Sequence, residues 1–444
     1  MAGRLKYKEM LGMLSETLDE IPEHRSGENG QYSLRDAGLS AFSVFYTQAP
    51  SFLSWQQDME KRTGRNNARS LFGIEQIASV EQIRNLLEPV DEGALGRLFW
   101  QIYHTLSARG QLKEFTGVAG TRLVSLDGTQ HHSSTTIHCP ECRVTVRNEK
   151  AYYSHQVLLA VLCAPEQKEV LALEPEYIRP QDGHEKQDCE QAAIKRWVQS
   201  HATEFAPWSV TILTDDLHCH QPTCELFIQH QMYFLLTCKP ESHTTLYEEL
   251  ALLAKVEGAI GERQVRRWNR RHYELWHYRW AEALPLRRGD DALRVNWCEL
   301  TIRHADTGAQ LYHNSWATNH TVNAETVADV VASGRSRWKV ENEGINVLKN
   351  QGYHFEHNYG HGDQHLANLL LSLLLLAFLF HTVLDLGCQL YHAIRRTLGA
   401  RRKFFNDVQA LTRYIHFVSW HQLLLFMAQA MDLALPQDLA FDTS

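Results

Sequence analysis

Three acidic positions in this chain have the residue types and surroundings needed to bind divalent metal ions. Asp127 follows the apolar run RLVSL, and Asp215 follows the apolar run SVTILT, with Asp216 directly after it. Glu341 lies in RSRWKVENEGINVLKN, a strongly helical stretch. Carboxylate oxygens are the ligands that Mg²⁺ prefers. Two such ions, about 3.5–4 Å apart, can activate a water or a 3′-hydroxyl and stabilise the leaving oxygen in an in-line displacement at phosphorus.

Each of these positions is weak evidence when it is taken alone. An Asp that ends a strand is more often a turn or cap residue, and a helical Glu more often faces solvent. Their value depends on the elements that carry them. Short apolar runs bounded by polar turns predict core strands at Arg122–Leu126, Gln156–Cys163, Glu169–Leu173, Val210–Thr214 and Met232–Cys238. A helix is predicted at Glu185–His201, and helical periodicity dominates residues 1–115.

The segment from Asp215 to Glu341 is too long for a bare connection, which predicts an insertion. Residues 258–318 supply it, because aromatic and charged residues alternate there as in half-exposed antiparallel strands. Between Arg263 and Arg303 there are ten Arg and five acidic residues in a chain of net charge -8. Arg interleaved with Trp and Tyr suits phosphate contacts and base stacking. A small sheet with core aromatics and solvated Arg is an equally weighted alternative.

The sequence resembles a known family in three blocks. LVSLDGTQ, TILTDDLHCHQP and RSRWKVENEGINVLKN are similar, in order, to the catalytic blocks of bacterial insertion-sequence DDE transposases, in particular those with a Tyr-Arg-Glu-Lys signature. The resemblance spans roughly residues 120–380. The third block is the most specific, because Arg337, Trp338 and Glu341 keep the family's Arg-Trp-x-x-Glu spacing.

The resemblance implies an α/β fold: an RNase H-like mixed sheet with flanking helices, a β-rich insertion before the catalytic Glu, and helical N- and C-terminal regions. It implies cleavage of transposon ends and strand transfer into target DNA, with two Mg²⁺ ions or with Mn²⁺ in their place. It also implies a homodimer on double-stranded DNA in a synaptic complex, in the cytoplasm and nucleoid-associated when bound to DNA.

The family's functional residues transfer onto matching positions. Asp127 matches the first metal-binding Asp and Glu341 the third carboxylate. Asp215 is preferred over Asp216 as the second, because the family places its Asp at the strand end with an aromatic residue three positions later, where His218 stands here. The resemblance implies that Arg337 contacts a DNA phosphate or holds Glu341 in position.

Two positions depart from the family's signature. Gly334 occupies the place of the signature Tyr, and Leu348 occupies the place of the Lys. Lys349 follows directly, and the resemblance implies that it contacts the transposon end. A one-residue offset rotates a side chain by roughly 100° around a helix.

These features divide the chain into five predicted regions. They are a helical N-terminal region (1–115) that is a candidate for binding DNA ends, the first part of the core (116–257), the β-rich insertion (258–318), the second part of the core (319–386) and a helical C-terminal region (387–444).

Nine cysteines at irregular spacing argue against a disulfide framework and for a reducing compartment. Cys139 and Cys142 form a C-x-x-C pair of the kind that binds structural Zn²⁺. A second pair at matching spacing is absent, so further ligands have to come through the fold. The candidates are His131, His132, His138, His155, Cys219 and Cys224. The run GYHFEHNYGHGDQHLAN, which contains His361 and His365, is interpreted as a polar patch near the active site.

The segment Leu366–Leu384 is long and apolar enough to cross a bilayer. A buried helix of a large protein has the same composition, and we favour burial and expect no membrane partner. The sequence leaves three alternatives open. They are an RNase H-like nuclease without strand transfer, an inactive DNA-binding relative, and a membrane protein built around this helix.

Overall fold

The computed structural model describes residues 3–25, 30–180 and 186–434, without the side chains of 186–188. The last ten residues of the predicted C-terminal region, and Glu185 of the predicted helix, lie outside the described residues. The strands are β1 (Arg122–Ser134), β2 (Arg143–Arg147), β3 (Lys150–Cys163), β4 (Leu171–Ala172), β5 (Glu176–Ile178), β6 (Val210–Thr214), β7 (Tyr233–Thr237), β8 (Gly261–Trp268), β9 (Tyr273–Pro285), β10 (Arg294–His304) and β11 (Gln310–Thr318).

Helices precede, interrupt and follow these strands along the chain. They are α1 (Tyr7–Asp19), α2 (Leu34–Tyr46), α3 (Phe52–Met59), α4 (Arg62–Phe72), α5 (Val80–Leu87), α6 (Gly96–Ala108), α7 (Lys186–His201), α8 (Gln221–Gln229), α9 (Thr244–Leu253), α10 (Val327–Arg335), α11 (Asn346–Asn350), α12 (Leu366–Gly387), α13 (Gln389–Leu398), α14 (Arg401–Tyr414) and α15 (Trp420–Ala430). A π-helical turn, Val340–Ile345, lies between α10 and α11.

The central strands have the order and directions of an RNase H-like sheet. β3 is antiparallel to β1 on one side and pairs with the short strands β4 and β5 on its other edge. β6 lies parallel to β1, and β7 lies parallel to β6. The connections β5–α7–β6 and β6–α8–β7 are crossovers through a helix, as parallel strands require. The predicted α/β fold with an RNase H-like mixed sheet and flanking helices is confirmed.

The β-rich insertion extends this sheet. β8, β9, β10 and β11 form an antiparallel meander in the order β8–β9–β10–β11. β11 then pairs antiparallel with β7, so the described strands make one continuous mixed sheet. The insertion is therefore fixed to the core by backbone hydrogen bonds along the β7 edge.

Helix α12 is the centre of the helical layer. It is the one helix among the described residues that is long and apolar enough to cross a membrane, yet 89% of its apolar window is buried inside the protein. It packs against α2, α13 and the edge strand β4. The predicted burial of this segment is confirmed, because neighbouring helices and strands of the protein cover nearly all of its surface.

The two ends of the chain pack together around this helix. The side-chain amide of Asn67 on α4 donates to the carbonyls of Thr412 and Ile415 near the end of α14. Its amide oxygen accepts from the backbone N–H of Phe417. Asn67 is fully buried, so its paired polar atoms lock the N-terminal helices to the C-terminal ones.

Candidate metal centre and active site

The register of two parallel strands brings the first two carboxylates to one edge of the sheet. Ser125 of β1 lies opposite Leu213 of β6, the last paired position. Asp127 and Asp215 each lie two residues further along. Because parallel strands run in step, these two residues occupy neighbouring positions where β6 ends. β1 itself continues to Ser134, so the prediction that Asp127 ends its strand is wrong. The long antiparallel partner β3 supports β1 beyond this point.

The third carboxylate comes from the π-helical turn, which packs against β1 and β3. Alternation of side chains puts Ser125 and Asp127 on the same face of β1. The Ser125 hydroxyl donates to the carbonyl of Arg337 at 3.3 Å, which holds the start of the turn over that face. π-helical turns are rare and occur often at functional sites. Glu341 therefore projects from an irregular turn and not from a regular helix.

A buried lysine fixes the other side of this turn. The ammonium group of Lys339 donates to the carbonyl oxygens of Ala164, Pro165 and Gln167, in the loop that follows β3. Lys339 is 6% exposed, and three acceptors satisfy its three donors. The turn that carries Glu341 is thus anchored to both β1 and β3.

The electrostatics of the cluster combine burial of Asp127 with neighbouring negative charge. The pKa of Asp127 is raised to about 7, and burial is the largest cause. Arg337 opposes the shift, and the nearby carboxylates of Glu341, Glu190 and Asp215 contribute to it. The Arg337 guanidinium forms an ion pair with Glu341 at 2.7 Å. An all-oxygen donor set with excess negative charge fits the hard cations Mg²⁺ and Mn²⁺, because such an ion relieves the repulsion among the acids.

The structure separates the two candidates for the second Asp. Asp216 accepts from the backbone N–H of Lys239 and the hydroxyl of Ser242, and it lies 3.2 Å from His243. Burial raises the pKa of Asp216, but these contacts outweigh burial and leave its pKa below the usual value. The internal contacts therefore occupy its carboxylate oxygens.

Asp215 has a more open setting than its neighbour. Its carboxylate accepts a local bond from the Leu217 N–H at 3.1 Å. Its side chain is 39% exposed and lies on the wall of a cleft. The geometry favours Asp215 as the residue with oxygen atoms to spare for an ion.

Two further residues belong to the cluster that sequence reasoning did not place there. Glu190 of α7 lies 3.2 Å from His218, and both side chains are 3% exposed. The same Nε2 atom of His218 lies 3.7 Å from Asp215 Oδ1. The imidazole thus connects a buried carboxylate to the second Asp. No local pattern marks Glu190, since it is one acid on an ordinary helix, and the sequence marks His218 only as the position of the family's aromatic residue.

Gly128 explains how Glu190 approaches the site. A Cβ added at Gly128 would lie 2.3 Å from a carboxylate oxygen of Glu190. Any side chain at this position would displace the Glu190 carboxylate. The Asp-Gly pair of the first block therefore has a steric reason in this structure.

The remaining expected site residues have different positions. Arg337 belongs to the cluster through Glu341. Lys349 forms an ion pair with Glu356 at 2.7 Å, in the segment between α11 and α12. A Cβ at Gly334 would lie 2.7 Å from the indole of the buried Trp316. The signature Tyr has no room here because Trp316 fills its place.

The aromatic residues of the insertion divide into two groups. Tyr278 is fully buried, and Trp276 lies between the guanidinium groups of Arg267 and Arg335, at 4.3 and 4.9 Å from its ring centroid. Trp268, at the end of β8, is 55% exposed. The core interpretation therefore applies to the base of the insertion, and a surface able to stack on bases remains at the β8–β9 tip.

Comparisons with known proteins add a distant likeness to solved structures. No protein-family profile matches the chain, and no curated protein matches it. Among solved structures, a cryo-EM structure of a piggyBac transposase synaptic complex with hairpin DNA aligns with a TM-score of 0.38 and 10% identity, over 97% of this chain and 81% of that chain. At this level two chains need not share a fold or an activity. The fold assignment rests on the strand order and register of this protein alone.

Proposed function

We propose that the protein is a DDE transposase that cuts transposon ends and joins them to target DNA. The observation that supports this proposal is that Asp215 and Glu341 lie near enough to Asp127 to raise its pKa, where the parallel strand β6 of an RNase H-like sheet ends. In open α/β sheets, ligands bind outside the carboxyl ends of the strands. The oxygen-only donor set of the cluster suits phosphoryl transfer with divalent ions, which needs no protein nucleophile.

Each residue of the cluster has a distinct role in this proposal. Asp127, Asp215 and Glu341 would hold two Mg²⁺ ions. When bound, such ions activate the attacking oxygen and stabilise the leaving one. Arg337 orients Glu341 through its ion pair and offers a positive charge to the scissile phosphate. The Glu190–His218 pair lies beside Asp215 and would hold it in position, in the way that outer-shell groups hold ligands.

The surface next to the cluster supports a polyanionic substrate. A cleft of about 680 Å³ has Asp215 and Arg337 on its wall, together with Lys239 and Arg287. Positive side chains around an acidic metal centre bind the phosphates that flank the scissile one. Helical DNA is much larger than the cleft, so only the reacting strand would enter it.

The β8–β9 tip supplies a second basic surface. Arg270 and Arg271 lie in the turn beside the exposed Trp268, and all three belong to the insertion. An exposed Trp flanked by Arg suits stacking on an unpaired base with phosphate contacts on both sides. We assign this tip to contacts with transposon-end DNA. The remaining parts of the proposal rest on the resemblance alone. They are contact of Lys349 with the transposon end, a homodimeric synaptic complex, a bacterial insertion sequence as the source, and action at the nucleoid.

The proposal is tested with DNA from the protein's own genetic locus. A plasmid that carries the coding region with its flanking sequences, including any short inverted repeats, is incubated with the full chain and Mg²⁺ or Mn²⁺. We expect cleavage at the two flanks and joining of precleaved ends to a second plasmid. Asp127→Asn and Glu341→Gln should abolish both reactions and retain DNA binding in a gel-shift assay. Glu343→Gln, which changes an acid two residues from Glu341, is the matched control and should remain active.

Three outcomes separate the candidate functions. Cleavage with joining of precleaved ends supports a transposase. Cleavage without joining under the same conditions assigns the protein to RNase H-like nucleases. Binding without cleavage at any metal concentration identifies an inactive DNA-binding relative. Nicking retained by the purified Asp127→Asn, Glu341→Gln double variant would refute the assigned site.

A further inference from the structure

Four metal-ligating side chains from distant segments meet in a second cluster, apart from the carboxylates. They are Cys139, Cys142, His155 and His361. The two cysteines lie between β1 and β2, His155 lies on β3, and His361 lies in the segment between α11 and α12. All four are buried, and one ligand atom from each lies within 4.8 Å of every other. The sequence groups His155 with the cysteine pair as one of several candidates, whereas it assigns His361 to a polar patch and not to this group.

The distances match one tetrahedral ion. Zn–S bonds of about 2.3 Å and Zn–N bonds of about 2.0–2.1 Å imply about 3.8 Å between two sulfur ligands and about 3.5 Å between sulfur and nitrogen. The sulfur atoms of Cys139 and Cys142 are 3.9 Å apart. Cys139 Sγ lies 3.3 Å from His155 Nε2, and Cys142 Sγ lies 3.4 Å from His361 Nε2.

Neither a disulfide nor ordinary packing accounts for the cluster as well as a metal ion does. A disulfide needs sulfur atoms about 2.05 Å apart, whereas these are 3.9 Å apart. Two thiols and two imidazoles in a buried site form only weak mutual hydrogen bonds, so packing gives them little reason to converge. Thiolate with imidazole selects Zn²⁺ over the oxygen-preferring Mg²⁺.

We propose that this cluster is a structural Zn²⁺ site with four protein ligands, those of Cys139, Cys142, His155 and His361. A closed set of four ligands leaves no open position for catalysis. The ion joins Cys142 to His361, which are 219 residues apart in the chain. It ties the segment that follows the Glu341 turn to β3 and to the β1–β2 connection. Its role is to fix the chain between α11 and the start of the core helix α12.

Zinc binding is independent of the proposed transposase activity, and its first test measures metal content. The full chain is purified without a polyhistidine tag, in a reducing buffer free of chelator, and metals are measured by inductively coupled plasma mass spectrometry and native mass spectrometry. We expect one zinc per chain. Cys142→Ser should lose that equivalent. Cys163→Ala, which changes another buried cysteine on β3, and His132→Ala, whose ring lies 4.3 Å from that of His361, should retain it.

Another group of possible zinc ligands provides a competing assignment. Cys219, Cys238 and His243 also lie within ligating distance of one another. Loss of the zinc in Cys219→Ala, with retention in Cys142→Ser, would move the ion to that cluster and overturn the proposal. A wild-type chain that binds no zinc after reconstitution, or that holds iron in its place, would also overturn it.

Spectroscopy covers the case in which Cys142→Ser fails to fold. Co²⁺ replaces Zn²⁺ in the wild-type chain, and a tetrahedral site with two sulfur ligands gives intense visible d–d bands and a sulfur-to-metal charge-transfer band. Weak bands typical of octahedral Co²⁺ would refute the site. Hydrogen exchange gives the structural readout: chelation of the zinc should increase exchange across residues 351–365 more than across β6. Equal exchange with and without zinc would contradict the proposed role.

Discussion

Asp127→Asn is expected to stabilise the metal-free protein while it abolishes activity. Burial and the neighbouring acids raise the pKa of Asp127 from 3.8 to about 7. Below pH about 4 the carboxyl is protonated in both the folded and the unfolded chain, so it carries no penalty. As the pH rises towards 7, the unfolded chain ionises first and the free energy of unfolding falls. Above pH about 7 the folded chain holds the charge as well, and the full loss is present.

The size of the effect follows from the same pKa. An elevation from 3.8 to about 7 corresponds to roughly 4 kcal/mol of lost stability at pH 8 and roughly 2 kcal/mol at pH 5. An unfolding entropy of about 2.1 cal/mol/K per residue gives about 0.9 kcal/mol/K for 444 residues. Removal of the charge should therefore raise Tm by about 4 °C at pH 8 and by about 2 °C at pH 5, as an upper bound.

Differential scanning calorimetry of three proteins tests this reasoning. Wild type, Asp127→Asn and the control Glu343→Gln are compared in EDTA at pH 5 and pH 8, and then with Mg²⁺ added. Wild type should gain stability from Mg²⁺, because the ion binds the folded state, whereas Asp127→Asn should respond much less. Glu343→Gln should behave as wild type. If Asp127→Asn melts below wild type at pH 8 in EDTA, the carboxyl is not held at an energetic cost and the argument for a crowded acidic site fails.

Three further changes probe other parts of the site. Asp215→Asn should abolish cleavage with Tm within about 1 °C of wild type. Asp216→Asn should lower Tm, because it weakens three internal contacts of about 1 kcal/mol each. The reverse pattern in calorimetry and cleavage assays would make Asp216 the ligand. Gly128→Ala should destabilise the protein by about 1–3 kcal/mol in urea unfolding, because its Cβ meets the buried carboxylate of α7, and an unchanged midpoint would contradict this clash. The double variant Arg270→Ala, Arg271→Ala should lower the slope of log affinity against log salt for end DNA by about 1–2, whereas an unchanged slope would remove the β8–β9 tip from the interface.

The regular elements can be predicted from sequence because their patterns are local. The apolar run Val210–Thr214 predicts β6 at its observed bounds, and the apolar composition of 366–384 indicates a core helix. The insertion is recognisable because alternating residues lie in a segment too long for a loop. A strand with one exposed face repeats every two residues, so its pattern needs no knowledge of its partners.

Some features cannot be predicted from the sequence because they depend on pairing. β1 continues past Asp127 because β3 remains beside it, and the polar residues beyond Leu126 give no apolar signal. Trp316, from a strand of the insertion, leaves no room for a side chain at Gly334, where the resemblance had implied a Tyr. In both cases the decisive neighbour lies far away in the chain.

The sequence by itself determined which carboxylates are available and the order of the strands that carry them. Only the tertiary structure decided which groups lie close together: Asp216 beside Ser242 and His243, Glu190 beside His218, and His361 beside the cysteine pair. The physical reason is that a ligand set is defined by distances of a few ångströms, and those distances follow from the packing of segments that no local pattern relates.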